Sequence, residues 1–334
     1  MWWNNHSNLG ADRFKKLATH DLHYHYDGSI SREVVRAAFK DSNKTAHYAE
    51  LRVEQTFLNE PVTNPEDFFA AFQKVMKVFE IKEDVDRILQ AQFDVAAQDG
   101  LKHIDYRFGC GALSRHFGSS EGTVLAYFKI ATDHARHQGI DVCPTLCFSR
   151  HETMERAKHL MEFILEHKSF IRAIDLEGPE APNDTAAFGP IFQKLKSNGL
   201  RVTAHAGEFS SAKSIWQAID DCGAERIGHG FSAADDPELL RRLAKDQIAL
   251  EVCLTSNYLI GLCQDLKRHP FLRFLDAGIP VVLCTDDQAL FQTSLTKEYE
   301  KAHSILEEAG LKGDSILKDI SNDSRRFAFV GVVA

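Results

Sequence analysis

The histidines and carboxylates with chemical potential gather in four short groups: His23-Tyr24-His25-Tyr26-Asp27-Gly28, His205-Ala206-Gly207-Glu208, Gly228-His229-Gly230 and Thr285-Asp286-Asp287. In an extended chain, residues two apart face the same side, so His23 and His25 can bind one ion. Taken separately, each group has an ordinary explanation. A His-x-His arises easily by chance among 16 histidines, a single His can be a satisfied core side chain, and an Asp pair can cap a helix. What the groups share is position, because each closes a segment that reads as a strand. Three neutral imidazoles with one carboxylate suit a borderline-soft ion such as zinc. Such an ion brings the pKa of its bound water near neutrality and so supplies a nucleophile. Glu208 and His229 add acid and base groups nearby. Residue types and placement therefore describe a metal-assisted hydrolase.

The elements that must position these groups are short. Eight segments read as buried strands: His20–Tyr26, His103–Phe108, Asp141–Phe148, Ile171–Leu176, Arg201–Ala206, Arg226–Gly230, Ile248–Leu254 and Ile279–Cys284. Between them run amphipathic stretches such as Glu83–Asp99, Thr123–His137, Ala186–Ser197 and Ser211–Asp220, the pattern of βαβ units on a parallel sheet. Eight such units point to an α/β fold, a closed (β/α)8 TIM barrel with its chemistry on the face where the strands end. Periodicity alone leaves an open sheet as the alternative. The dinucleotide fingerprint Gly-x-Gly-x-x-Gly does not follow the first strand.

A long helical insertion, Ser29–Lys102, separates the first and second strands. It contains Glu66–Phe79, where Phe68, Phe69, Phe72, Val75, Met76 and Phe79 recur at mostly helical spacing. This helix either packs on the barrel or forms an apolar lid over its mouth. No Pro/Gly/Ser-rich linker divides residues 1–334, which read as a single domain.

The 334 residues are 44% hydrophobic and 26% charged, the balance of a globular chain with a large buried core. The formal net charge is −9 and the basic residues are scattered. The footprint of a nucleic-acid binder is thus missing, and nothing favours an anionic membrane surface. Seven cysteines lie far apart, an odd count that fits a reducing compartment. Cys143 and Cys147 share the apolar run Val142–Phe148, where buried thiols compete with metal ligation as explanations. The N-terminus lacks a basic region followed by an apolar stretch, and no apolar run is long enough to span a bilayer. A cytoplasmic protein is expected.

Asp21-Leu22-His23-Tyr24-His25-Tyr26-Asp27-Gly28-Ser29-Ile30 resembles the opening motif of the adenosine deaminase family. Asp175-Leu176-Glu177-Gly178 with Glu180 resembles its fourth-strand motif. His205-Ala206-Gly207-Glu208, Arg226-Ile227-Gly228-His229-Gly230, Thr255-Ser256-Asn257 and Thr285-Asp286-Asp287 follow in the family's order, as does Thr293–Tyr299. The resemblance runs from about Leu22 to Phe327. It implies one zinc ion per chain, held by His23, His25, His205 and Asp286. It implies Glu208 as the donor of a proton to purine N1, and His229 and Asp286 as the groups that deprotonate or orient the water. Asp287 would reach N7, the Gly178 backbone N–H would reach N3, and His25 and Asp27 would lie on the substrate side.

The implied reaction is hydrolytic deamination of adenosine or 2′-deoxyadenosine to inosine or 2′-deoxyinosine plus ammonia, with a small purine nucleoside as partner. Asp27 bears on that choice, since a carboxylate accepts from a 5′ hydroxyl and repels a 5′-phosphate. Its other reading is an N-cap for a helix over Ser31–Phe39. The alternatives are adenine, an N6-modified purine nucleoside or nucleotide, aminodeoxyfutalosine, or a non-catalytic nucleoside-binding relative. The last would be marked by loss of Glu208 or a ligand. The chain departs from the family pattern at Arg107-Phe108-Gly109-Cys110, where Arg-aromatic-Ser-Pro is usual, at Gln288, where proline is common, and in its early stop at Ala334. A two-metal hydrolase would need a Lys at a strand end, and the cytidine-type deaminase signature is missing.

Overall fold

The computed structural model describes residues 11–30, 57–62, 64–76, 85–109, 121–180 and 184–329. Apolar segments bounded by turns form eight strands: β1 (His20–His25), β2 (His103–Gly109), β3 (Asp141–Ser149), β4 (Ala173–Glu177), β5 (Arg201–Ala206), β6 (Arg226–His229), β7 (Ala249–Val252) and β8 (Val281–Leu283). They lie in chain order in one sheet, each parallel to the next. Every strand lies within two residues of its expected bounds. A bridge between Tyr24 and Asp286 brings β8 back to β1. There the Asp286 N–H donates to the His23 carbonyl at 2.8 Å, and the Asp286 carbonyl accepts from the His25 N–H at 3.2 Å. The ring of strands is a (β/α)8 TIM barrel, not the open sheet.

The outer face of the sheet is apolar because helices cover it. In β2, Tyr106 meets Phe93 of helix Val85–Asp99 at 5.3 Å between centroids, and Phe108 meets Phe128 of helix Glu121–His137 at 3.8 Å. The inner face is different. This fold ordinarily fills its barrel with branched apolar side chains, but here Asp105, Arg107, Asp175, Arg226 and Glu251 are each at most 1% exposed. Burying such charges requires that they pair, and they do. Arg226 bonds Asp105 at 2.6 Å and Glu251 at 2.7 Å, while Arg107 bonds Glu251 at 2.5 Å and contacts Asp175 at 3.2 Å. Helix Gly313–Phe327 leads to Phe329, whose ring lies 3.6 Å from the Arg226 guanidinium carbon and plugs the end away from the chemistry.

In the insertion, helix Pro65–Met76 sets Phe68 against Phe291 and Phe209, with centroids 5.8 and 6.5 Å apart. It therefore packs on the barrel and roofs its mouth as well. Residues 77–79 and the helix expected over Ser31–Phe39 lie outside the described residues. Cys143 and Cys147 are buried free thiols. Among the described residues, no helix is long and apolar enough to cross a membrane.

Candidate active site and metal centre

Because strand side chains alternate, His23 and His25 both point into the barrel from the end of β1. His205 faces them from β5. The three Nε2 atoms lie 3.0, 3.1 and 3.2 Å from one another, and Asp286 Oδ1 lies 3.5 Å from His23 Nε2 and 3.6 Å from His25 Nε2. Their other ring nitrogens face carboxylates. His23 Nδ1 bonds Glu251 Oε2 at 2.9 Å. His205 Nδ1 is 2.9 Å from Asp175 Oδ2, an ion-pair distance although off the straight line of a hydrogen bond. His25 Nδ1 is 3.7 Å from Glu177 Oε2.

Glu251 and Asp175 draw the ring protons of His23 and His205 to Nδ1, and the three Nε2 atoms are aimed at one point. Burial pushes His23 and His25 well below the usual histidine pKa, so both are neutral. Three converging lone pairs repel unless a cation sits between them. A tetrahedron with bonds of about 2.0–2.1 Å has edges of about 3.4 Å, and the four donor atoms span nearly that spacing. The donor set fits a transition-metal ion. His229 also approaches this cluster, its ring 4.9 Å from that of His23.

Both Asp286 and His229 hold left-handed backbone conformations, with φ of 63° and 62°. A non-glycine residue there costs about 1–3 kcal/mol, a strain typical of functional sites. Ser256 donates to Asp286 Oδ2 at 2.7 Å and fixes its orientation. Glu208 follows β5 on a loop gripped from beneath. The Glu180 carboxylate accepts from the backbone N–H groups of Gly207, Glu208 and Phe209 at 2.7–2.8 Å. Glu208 Oε1 lies 3.5 Å from His229 Nε2. Burial first, then the charges of Asp286 and Glu180, raise the Glu208 carboxyl well above its ordinary range. Burial and the charge of Asp286 do the same to Asp287. Both shifts favour the protonated form, in which a carboxyl can donate.

Of the nine site residues expected from sequence, eight line one cavity of about 540 Å³: His25, Asp27, Gly178, His205, Glu208, His229, Asp286 and Asp287. His23 lies beneath them, fully buried. Phe68, Phe69, Phe72 and Phe209 supply the apolar roof. Asp27 is 3% exposed, and burial raises its carboxyl to about 7. Gly28 is required next to it, since a Cβ there would stand 1.8 Å from Asp287 Oδ1.

Sequence reasoning missed the supporting layer. Glu251 is a lone acid inside the apolar run of β7, and that anomaly was its available signal. Asp175, Glu180 and Ser256 sit within quoted motifs, but nothing local revealed what they touch. Glu177, in the cavity wall, fits because Gly109 leaves room, where a Cβ would stand 2.5 Å from Glu177 Oε1.

A (β/α)8 barrel whose strand ends collect three imidazoles, a carboxylate and a buried acid of raised pKa over one cavity is built to activate water against a small molecule. Comparison with known proteins narrows that class. The chain belongs to the adenosine deaminase family, whose description, Adenosine deaminase, matches residues 19–331. The adenosine deaminase of Klebsiella pneumoniae (strain 342) is 31% identical over 299 residues, 89% of each chain. Among solved structures, adenine deaminase from Arthrobacter aurescens has a TM-score of 0.79 at 24% identity, covering 92% of each chain. The N6-mAMP deaminase of Arabidopsis has a TM-score of 0.76 at 25% identity, covering 94% of this chain and 93% of that one. The protein is a hydrolytic deaminase.

Proposed function

We propose that this single-domain chain is a zinc enzyme that deaminates adenosine and 2′-deoxyadenosine to inosine and 2′-deoxyinosine, releasing ammonia. The observation that carries the proposal is the convergence of three imidazole Nε2 atoms and Asp286 Oδ1 beside the buried carboxyl of Glu208. His23, His25, His205 and Asp286 would hold the zinc ion, which would supply the Lewis acidity that makes water nucleophilic at neutral pH.

The rest of the chemistry belongs to the chain. Purine N1, N3 and N7 are all acceptors, so a site that reads them must donate. Protonated Glu208 donates to N1 and makes C6 electrophilic. The Gly178 N–H donates to N3, and protonated Asp287 donates to N7. His229 and Asp286 orient the water at C6. Asp286 takes one proton of the water and passes it to the amino group, so that as the C6–N bond breaks ammonia leaves, a 6-oxopurine remains and the proton of the added hydroxyl restores the acid on Glu208.

Asp27 favours a nucleoside. Among the described residues lining the cavity there is no Lys or Arg. The nearby Arg150 is spent on the carbonyls of Leu176, Gly178 and His205. A 5′-phosphate would find no cation to pair with in this confined site, and burying an unpaired charge is costly. Two measurements test the reading. Metal analysis should find one zinc per chain, with activity lost to chelation and regained on adding zinc. In kcat/KM, adenosine and 2′-deoxyadenosine should exceed adenine, AMP and N6-methyl-AMP, and Asp27→Asn should narrow the gap between adenosine and AMP. Preference for AMP or adenine would overturn the substrate assignment while leaving the metal chemistry standing.

A further inference from the structure

Behind His229 a line of buried side chains ends on a backbone amide. The Phe271 N–H donates to His269 Nδ1 at 3.0 Å. His269 Nε2 lies 3.0 Å from Asn257 Oδ1, and Asn257 Nδ2 lies 3.1 Å from His229 Nδ1. His229, Asn257 and His269 are 1%, 0% and 3% exposed, and neither Asn257 nor His269 lines the cavity.

The polarity of this line follows from its anchor. A backbone N–H only donates, so His269 Nδ1 must accept. Burial keeps His269 neutral, holding its pKa at about 3. Its one ring proton therefore sits on Nε2 and is donated to the Asn257 carbonyl oxygen. That leaves the amide NH2 of Asn257 facing His229, and His229 Nδ1 has to accept. The opposite amide orientation would set two donors against each other at His269. A ring nitrogen that accepts carries no proton, so the His229 ring proton lies on Nε2, the nitrogen 3.5 Å from Glu208 Oε1.

We infer that Asn257 and His269 are positioning residues that lock His229 in its Nε2–H tautomer, so that His229 donates a hydrogen bond to the attacking water and is not its base. A neutral imidazole with a proton on Nε2 has no lone pair there to receive another. The inference rests on the proposed reaction for its consequence in turnover, but the tautomer can be read without turnover.

The first arm uses the zinc-loaded wild-type protein labelled with 15N-histidine. Long-range 1H–15N correlation separates a protonated ring nitrogen from an unprotonated one, and the His229 signal is assigned by its loss in His229→Ala. The expected result is an unprotonated Nδ1 and a protonated Nε2, and the reverse pattern overturns the inference. The second arm compares two variants of similar size. Asn257→Asp offers only acceptors, draws the His229 proton to Nδ1, and should lower kcat by about 10²–10⁴-fold, with KM and zinc content little changed. Asn257→Leu frees the tautomer without reversing it, so its kcat should stay at least about ten-fold above that of Asn257→Asp. Equal losses would mean that Asn257 only packs, and would also overturn the inference. If no aminopurine is turned over by the wild type, the functional reading fails, and the tautomer measurement still decides this one.

Discussion

Burial, backed by the charges of Asp286 and Glu180 against the opposing pull of Arg150, raises the Glu208 carboxyl well above its ordinary range and favours the proton that a ring nitrogen needs before water can add beside it. The sign of the pH dependence follows. Activity is sustained below the raised Glu208 pKa and falls as pH climbs through it, because the acid form is lost. Glu208→Gln keeps size and hydrogen bonding but has no acidic proton, so kcat should fall about 10²–10⁴-fold at unchanged metal content. The alkaline limb belonging to Glu208 should vanish from its pH profile. A variant with normal turnover would remove Glu208 from the reaction. Glu208 could be picked out in the sequence because it follows His205 at a strand end. Its protonation could not, because that depends on Asp286 and Glu180, which are distant in sequence.

At the scale of elements, the strands set where ligands point and the loops after them set how they are held. The turn after β5 is rigid because one carboxylate, Glu180, takes three successive N–H groups of Gly207–Phe209. The helix Pro65–Met76 contributes an apolar roof and sets the polar side chain of Gln73 in the cavity wall. Phe69 is half-buried and lines the cavity, its ring 5.8 Å from Phe209. It therefore contacts ground state and transition state alike. Phe69→Ala should raise KM about ten-fold with kcat nearly unchanged, the signature of lost uniform binding. Steady-state kinetics checks this, and a selective fall in kcat would show that the helix acts on the chemistry. The aromatic spacing was readable as a helix. Whether it packed or covered was not, since the same apolar face does both once Phe209 and Phe291 come beneath it.

Across the whole molecule, charge runs from the candidate metal centre to the opposite face of the barrel. His23 rests on Glu251, Glu251 on Arg226, Arg226 on Asp105, and Asp105 on His103, which ends at the half-exposed Asp141. Three carboxylates, Asp105, Asp175 and Glu251, are balanced by Arg107, Arg226 and a protonated His103. Such a network adds little net stability, since burying the ions offsets their attraction. It does orient the ligand histidines. Burial opposes the charge on His103, but the hydrogen bonds and charges of Asp105 and Asp141 together outweigh it and raise its pKa to about 9. A raised histidine stabilises fully below its unfolded value near 6.5 and loses that contribution as pH rises through about 9. His103→Gln should therefore cost on the order of 2–3 kcal/mol at about pH 6, discounted for screening at Asp141, and much less at about pH 10. Urea unfolding at both pH values measures it, and a penalty independent of pH would show that His103 is uncharged in the fold.

Much of the architecture was decided locally. Strand and helix periodicities, punctuated by turn residues, report which side chains share a face, and they located all eight strands and the residues at their ends. Contacts between distant strands carry no local signal. Asp286 lies 263 positions after His23 in the chain, yet its backbone closes the barrel against His23 and His25. That closure brings the carboxylate to the three imidazoles. The raised pKa of the Glu208 and Asp287 carboxyls, the Nδ1 partners of the candidate ligand histidines and the polarity of the line behind His229 arise from burial and from neighbours supplied by other strands. A pKa or a tautomer is a property of surroundings, and those exist only once the chain has folded.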